Sequence, residues 1–127
     1  MSWTIEWDAE LDVVRVVLTG TFSLDGFRDM TTDVLSQPFW RPGTDALFDY
    51  RDCIVNQHFT DVFSVASDHA LRSAEIGDGK VALVLGSKSS YGNARQYQSL
   101  AEGLADSQIR PFLDLNEAEA WLRGDID

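Results

Sequence analysis

Lys80-Val81-Ala82-Leu83-Val84-Leu85-Gly86, running into Ser87-Lys88-Ser89-Ser90-Tyr91-Gly92, is the stretch that decides the fold. Consecutive apolar residues bounded by glycine read as a strand covered on both faces. A Gly/Ser turn leading from such a strand into a helix-patterned segment is how parallel α/β sheets are built. The pattern specifies an architecture and supplies no reaction.

Working outward, the helix after this strand places Ala94, Tyr97, Leu100, Ala101, Leu104 and Ala105 along one stripe. Ile109-Arg110-Pro111-Phe112-Leu113 then reads as a last strand, with Pro111 suited to a sheet edge. Asn116 and Glu119 have capping-box spacing and open a short helix that buries Ala118, Trp121 and Leu122. Upstream, Thr60 is the expected cap of a helix carrying Val62, Phe63, Ala66, Ala70 and Ala74 on one side, ended by Gly77-Asp78-Gly79. Ala46-Leu47-Phe48-Asp49-Tyr50-Arg51 has a strand pattern. Before it, Ser23 caps a helix with Leu24, Phe27, Met30, Val34 and Leu35 at three-to-four spacing, stopped by Pro38. At the start, Trp3, Ile5 and Trp7 alternate with polar residues and a turn leads to Val13-Val14-Arg15-Val16-Val17-Leu18-Thr19, which is a β-hairpin.

The expected fold is therefore α/β: one domain over 1–127 with a single mixed, mostly parallel five-stranded sheet. It consists of an N-terminal hairpin, then repeated αβ units, with about four helices. Right-handed crossovers between strands laid down in chain order put every crossover helix on one face. The other face then needs cover, either from the hairpin, its two tryptophans and the terminal helix, or from a partner.

Composition narrows the function class. A chain of 127 residues buries one core, and a net charge of -11 repels phosphate backbones and anionic headgroups, so no nucleic acid is expected as a partner. Cys53 is the lone cysteine and has no internal disulfide partner. Met1-Ser2-Trp3-Thr4-Ile5-Glu6 has neither a basic nor an apolar signal region, and no apolar run is long enough for a membrane span, so the expected location is cytoplasmic.

Together with this layout, Trp40-Arg41-Pro42-Gly43, Leu47-Phe48-Asp49-Tyr50-Arg51 and Gly79-Lys80-Val81-Ala82-Leu83-Val84 carry a resemblance. From about Glu6 to Leu122 the chain resembles the SpoIIAA-like family of the STAS-type fold, which groups anti-sigma-factor antagonists with lipid-carrying CRAL-TRIO domains. The resemblance implies a noncatalytic module with a bias towards binding. In phosphoregulated relatives an Asp-Ser-Ser/Thr-Gly motif follows the strand matching Ala46–Arg51. Here Asp52-Cys53-Ile54-Val55-Asn56-Gln57-His58-Phe59-Thr60 stands instead, so the phosphoserine switch does not carry over and Thr60 is at best a remote substitute.

Ligands of parallel α/β sheets gather beyond the carboxyl ends of the strands. That rim collects Arg51, Asp52, Ser87, Lys88, Ser89, Tyr91 and Asp114, with Arg95 one turn into the following helix. Lys88 and nearby helix amides suit an anionic group, whereas a capped helix with a solvated lysine is the plainer reading. Asp49 and Arg51 share one face of a strand and suit a structural ion pair, which Arg95 is placed to join. Cys53 and His58 are close enough for a thiolate–imidazole pair, but no third orienting group is evident, and His58 with His69 lacks metal-site spacing. Phe39-Trp40, in a proline-bracketed loop, is the candidate anchor for a second subunit if it does not cap the sheet.

The leading functional expectation is a noncatalytic binding or regulatory module acting through a protein partner or as a homodimer. The alternative is a carrier of a small apolar ligand or lipid, which needs a cavity that splayed helices would have to open. An enzyme using Arg51, Asp52, Lys88 and Tyr91 ranks behind both. No catalytic residue, metal or cofactor is assigned.

Overall fold

Alternation in the first residues and unbroken apolar runs later produce the five strands expected. The computed structural model describes residues 1–55 and 59–127, and the side chains of all of these except 59–61. The strands β1 (Ser2–Asp8), β2 (Val13–Thr21), β3 (Ala46–Ile54), β4 (Lys80–Leu85) and β5 (Gln108–Phe112) lie side by side in chain order. The first pair is antiparallel, with Trp3 opposite Leu18 and Trp7 opposite Val14, and every later pair is parallel. Five helices connect and follow them: α1 (Leu24–Leu35), α2 (Phe59–Leu71), the single turn α3 (Ser73–Ile76), α4 (Lys88–Glu102) and α5 (Leu115–Arg123).

The two-residue period of the strands sorts their side chains onto two faces. Val14, Val16 and Leu18 of β2, Ala46 and Tyr50 of β3, and Val81, Leu83 and Leu85 of β4 join one core with the inner stripes of α1, α2 and α4. The opposite parity sends Val13, Leu47, Ala82, Val84 and Phe112 into a second, smaller core with Ala118, Trp121 and Leu122 of α5. Each residue from Val81 to Leu85 is buried, as a strand covered on both faces requires.

This arrangement answers how the second face is covered. α5 lies over β4 and β5, while the part formed by β1 to β3 carries charge. There Arg15 Nη2 lies 2.9 Å from Asp8 Oδ2 and 3.1 Å from Glu119 Oε2, and Arg51 Nη2 lies 2.7 Å from Asp49 Oδ2. Trp3 and Trp7 sit on the other, helix-bearing side. Trp3 packs on the larger core and its Nε1 donates to Asp33 of α1 at 2.9 Å, while Trp7 meets the Phe39 ring at 5.8 Å between centroids.

Several local expectations are corrected. α2 starts at Phe59, so Thr60 is its second residue rather than its cap, and Thr60's side chain lies outside the described set. The helix stops at Leu71, and α3 intervenes before Gly77. Its inward stripe is Val62, Val65, Ala66 and His69, which leaves Phe63 half-exposed because it is rotated a full step of about 100° from Val62; Ala74 is exposed as well. α4 begins at Lys88, where the Ser87 hydroxyl accepts from the Ser90 amide at 3.1 Å, and it ends at Glu102, leaving Leu104 exposed beyond it. At α5 the capping box of Asn116 and Glu119 does not form. Asp114 caps instead, accepting from the Asn116 amide at 2.7 Å and the Glu117 amide at 3.4 Å, and Glu119 is bound to Arg15.

One glycine controls how closely the strand ends approach. A Cβ added at Gly86, just past β4, would lie 2.5 Å from the Arg51 carbonyl oxygen, a backbone atom with no room to turn aside. Gly86→Ala is therefore expected to cost about 1–3 kcal/mol, read as a lower urea midpoint with an unchanged slope. An unchanged midpoint would show that the two strand ends separate freely.

Candidate functional site

The rim at the strand carboxyl ends is assembled as the chain order demands, with Arg51 and Ser87 paired to neighbours and the other polar groups exposed, capping or bonded within their own helix. Arg51 holds Asp49 through Nε at 2.9 Å and Nη2 at 2.7 Å. Burial pushes the Asp49 carboxyl up, yet the Arg51 side chain and amide outweigh that and leave it below the usual carboxylate range. The Ser87 hydroxyl is committed to capping α4 and to Ser90 Oγ, 3.0 Å away. Asp52, Lys88, Ser89 and Arg95 are exposed, and Tyr91 packs half-buried against the larger core. Arg95 does not join the Asp49–Arg51 pair; its Nη1 donates to Gln98 Oε1 at 3.2 Å on its own helix. Asp114 serves as the α5 cap. Cys53 is buried and burial pushes its thiol up, away from the thiolate a nucleophile needs, while His58 lies outside the described residues. Among the described residues no cluster of His, Cys, Asp and Glu is placed to hold a metal ion, and no helix is long and apolar enough to cross a membrane.

Phe39 and Trp40 turn inward in part. Both are half-buried against the larger core, and Trp40 Nε1 donates to the Glu75 carbonyl at 2.9 Å. This bond fixes the ring over a feature that sequence reasoning missed.

That feature is a cavity of about 100 Å³ between the sheet and the helix layer. Its floor is β3 and β4, presenting Ala46, Tyr50, Val81 and Leu83; its roof includes Met30 of α1, Val65 of α2 and Ala94 of α4. Trp40 and Thr31 stand at its half-buried margin. None of the rim residues Arg51, Asp52, Ser87, Lys88, Ser89, Tyr91 and Arg95 is among its described lining. α2 packs against α1 and α4, and short side chains such as Ala46 and Ala94 are among those that line the space left between the helices and the sheet.

A buried polar chain closes one side of the cavity. The Ser107 hydroxyl donates to the Gly77 carbonyl at 3.0 Å, so toward His69 Nε2, also 3.0 Å away, it is the acceptor. His69 therefore carries its proton on Nε2 and accepts at Nδ1 from the Tyr97 hydroxyl, 2.8 Å away. Burial pushes the His69 imidazole down to about 4 and the Tyr97 phenol up, so both are neutral at pH 7. The sequence did hold a signal here. His69 falls on the same helical stripe as Val62, Val65 and Ala66, and a polar ring on an apolar stripe must find partners inside.

No protein-family model matches the chain, and no curated protein matches it. Among solved structures it is similar to an uncharacterized protein of the DUF3478 family from Shewanella loihica PV-4, which has a SpoIIAA-like fold. The two share 15% sequence identity at a TM-score of 0.60, over 95% of this chain and 92% of that one. The fold of this chain is SpoIIAA-like: one mixed five-stranded sheet, antiparallel at β1–β2 and parallel elsewhere.

Proposed function

We propose that the protein is a noncatalytic module that carries a small apolar ligand in the cavity between its sheet and its helix layer. The observation that supports this reading is the cavity itself: a space of about 100 Å³, lined mainly by aliphatic and aromatic side chains, in a domain whose strand-end rim ties Arg51 to Asp49 and is otherwise largely exposed. Protein interiors ordinarily close gaps larger than a water, and an apolar void of this kind forfeits packing energy unless something occupies it. Apolar cavities of about 150 Å³ bind benzene or xenon, which sets the scale of the occupant.

The test is a titration of the full chain with xenon, followed by amide chemical shifts. Shifts are expected at Ala46, Val65, Val81 and Ala94. Ala94→Leu, which extends a side chain into the space, is expected to abolish them while raising or preserving thermal stability. Saturable shifts confined to the outer surface, or none at all, would overturn the reading.

A second reading, a protein partner or a second copy, draws on exposed apolar side chains. Leu71 is 84% exposed and Phe63 is 50% exposed on the outer side of α2, and Trp7 stands half-exposed at the β1 edge. Sedimentation velocity across a hundredfold concentration range separates the two, since self-association through α2 would be weakened by Leu71→Glu and ligand carriage would not.

A further inference from the structure

The chemistry of the ligand follows from the polar atoms that face the cavity, given the carrier reading on which this step rests. Apart from the Thr31 hydroxyl at the half-buried margin, most of them are accounted for. The His69 ring has a partner at each nitrogen, Tyr97 donates to it, Ser90 Oγ accepts from Ser87, and Asn93 Nδ2 reaches the Val55 carbonyl at 3.4 Å. Tyr50 differs. It lines the cavity, is 7% exposed, and its hydroxyl has no hydrogen-bond partner among the described residues. No buried side-chain oxygen of the described residues is sealed away without a partner, so the Tyr50 oxygen keeps accessible surface, and the residue lines the cavity. Burial also pushes the phenol up, which keeps its proton in place at any physiological pH.

An unpaired donor nine-tenths buried is expensive to maintain and asks for an acceptor. The charges nearest in sequence point elsewhere, because Asp49 and Arg51 have the opposite parity on β3 and close on each other beneath the other face. The described lining contains no Lys, Arg, Asp or Glu, and its histidine is neutral. A carboxylate or phosphate entering such a site would lose its hydration with no cation to replace it. Size sets the last limit, since a space of about 100 Å³ is matched by one ring and exceeded by a membrane-lipid acyl chain.

We infer that the ligand is an uncharged molecule of about one aromatic ring bearing a single hydrogen-bond acceptor, held by the Tyr50 hydroxyl, and that acids and long-chain lipids are excluded. Tyr50 acts as a one-donor selector at the end of an apolar slot.

Calorimetric titration of the full chain with acetophenone, ethylbenzene and benzoate tests this. Acetophenone and ethylbenzene have similar bulk, but only the ketone carries an acceptor. The ketone is expected to bind about five- to tenfold more tightly than the hydrocarbon, the worth of one hydrogen bond, and benzoate at least a hundredfold more weakly than the ketone. Tyr50→Phe, close in shape to the parent, is expected to erase the preference for the ketone while keeping the hydrocarbon affinity and an equal or higher melting temperature. Ethylbenzene binding without a ketone preference, a preference that survives Y50F, or benzoate binding as tightly as acetophenone would overturn the assignment and leave ligand carriage standing. If none of the three binds, carriage itself fails.

Discussion

Trp121→Ala is expected to lower stability by about 3–5 kcal/mol, the range for removing a large aromatic side chain from a packed core. Trp121 is the centre of the smaller core. Its ring lies 5.7 Å from that of Phe112, the Lys80 ammonium sits 5.3 Å from its centroid, and Leu47, Ala82 and Val84 complete the cluster. Among the described residues α5 is the one helix on that face, so truncating its anchor opens β4 and β5 to water instead of leaving a neighbour to close in. A domain of this size has roughly 5–15 kcal/mol in total, so the loss should move the urea midpoint by about a fifth or more. Far-ultraviolet circular dichroism is the readout, because the substitution removes a fluorophore. A loss below about 1 kcal/mol would mean that α5 is not what seals the second face.

The second large effect is a dependence on pH set by His69. In the folded chain its imidazole is pushed from 6.5 down to about 4 by burial. Between those values the unfolded chain binds a proton that the folded chain does not, so stability falls as the pH is lowered from about 6.5 to about 4, and this contribution levels off below that. At about 1.4 kcal/mol per pH unit the loss approaches about 3 kcal/mol. Asp8 and Asp49 have lowered pKa values, from the Leu11 amide and Arg15 at the first, and from Arg51 acting against burial at the second. Their contribution is present above the normal carboxylate pKa and lost as the pH falls through the depressed one, below the histidine window. His69→Gln keeps a donor and an acceptor and does not titrate. Its stability relative to the parent should therefore rise by that amount as the pH goes from about 6.5 to about 4. Parallel stability curves for the two proteins would show that His69 is protonated, or exposed, in the folded state.

Much of the fold was legible because it rests on local periodicity. The alternation of Trp3, Ile5 and Trp7, the unbroken Val81–Leu85 run and the stripe of Phe27, Met30 and Val34 each produced the expected element. Helix ends were read less well, since capping is a competition between neighbours. Asp114 takes the α5 amides that Asn116 was expected to organise, and α4 stops at Glu102, short of the Leu104 and Ala105 counted in its stripe. The rim residues were placed by a general rule for parallel sheets; that Arg51 closes on Asp49 and that Arg95 turns to Gln98 depends on rotamers and neighbours which no linear spacing encodes.

The amino-acid sequence by itself determined the order of strands and helices, the parity that gives β4 two buried faces, and the acid balance of the surface, because each follows from residues close along the chain. Only the tertiary structure decided that α5 and an Arg15–Glu119 tie cover the second face, that His69 meets Tyr97 and Ser107, and that a space remains above Ala46 and beneath Val65. A cavity is the difference between the volume that elements enclose and the volume that their side chains fill. That difference exists only once helices from distant parts of the chain have come to rest on one sheet.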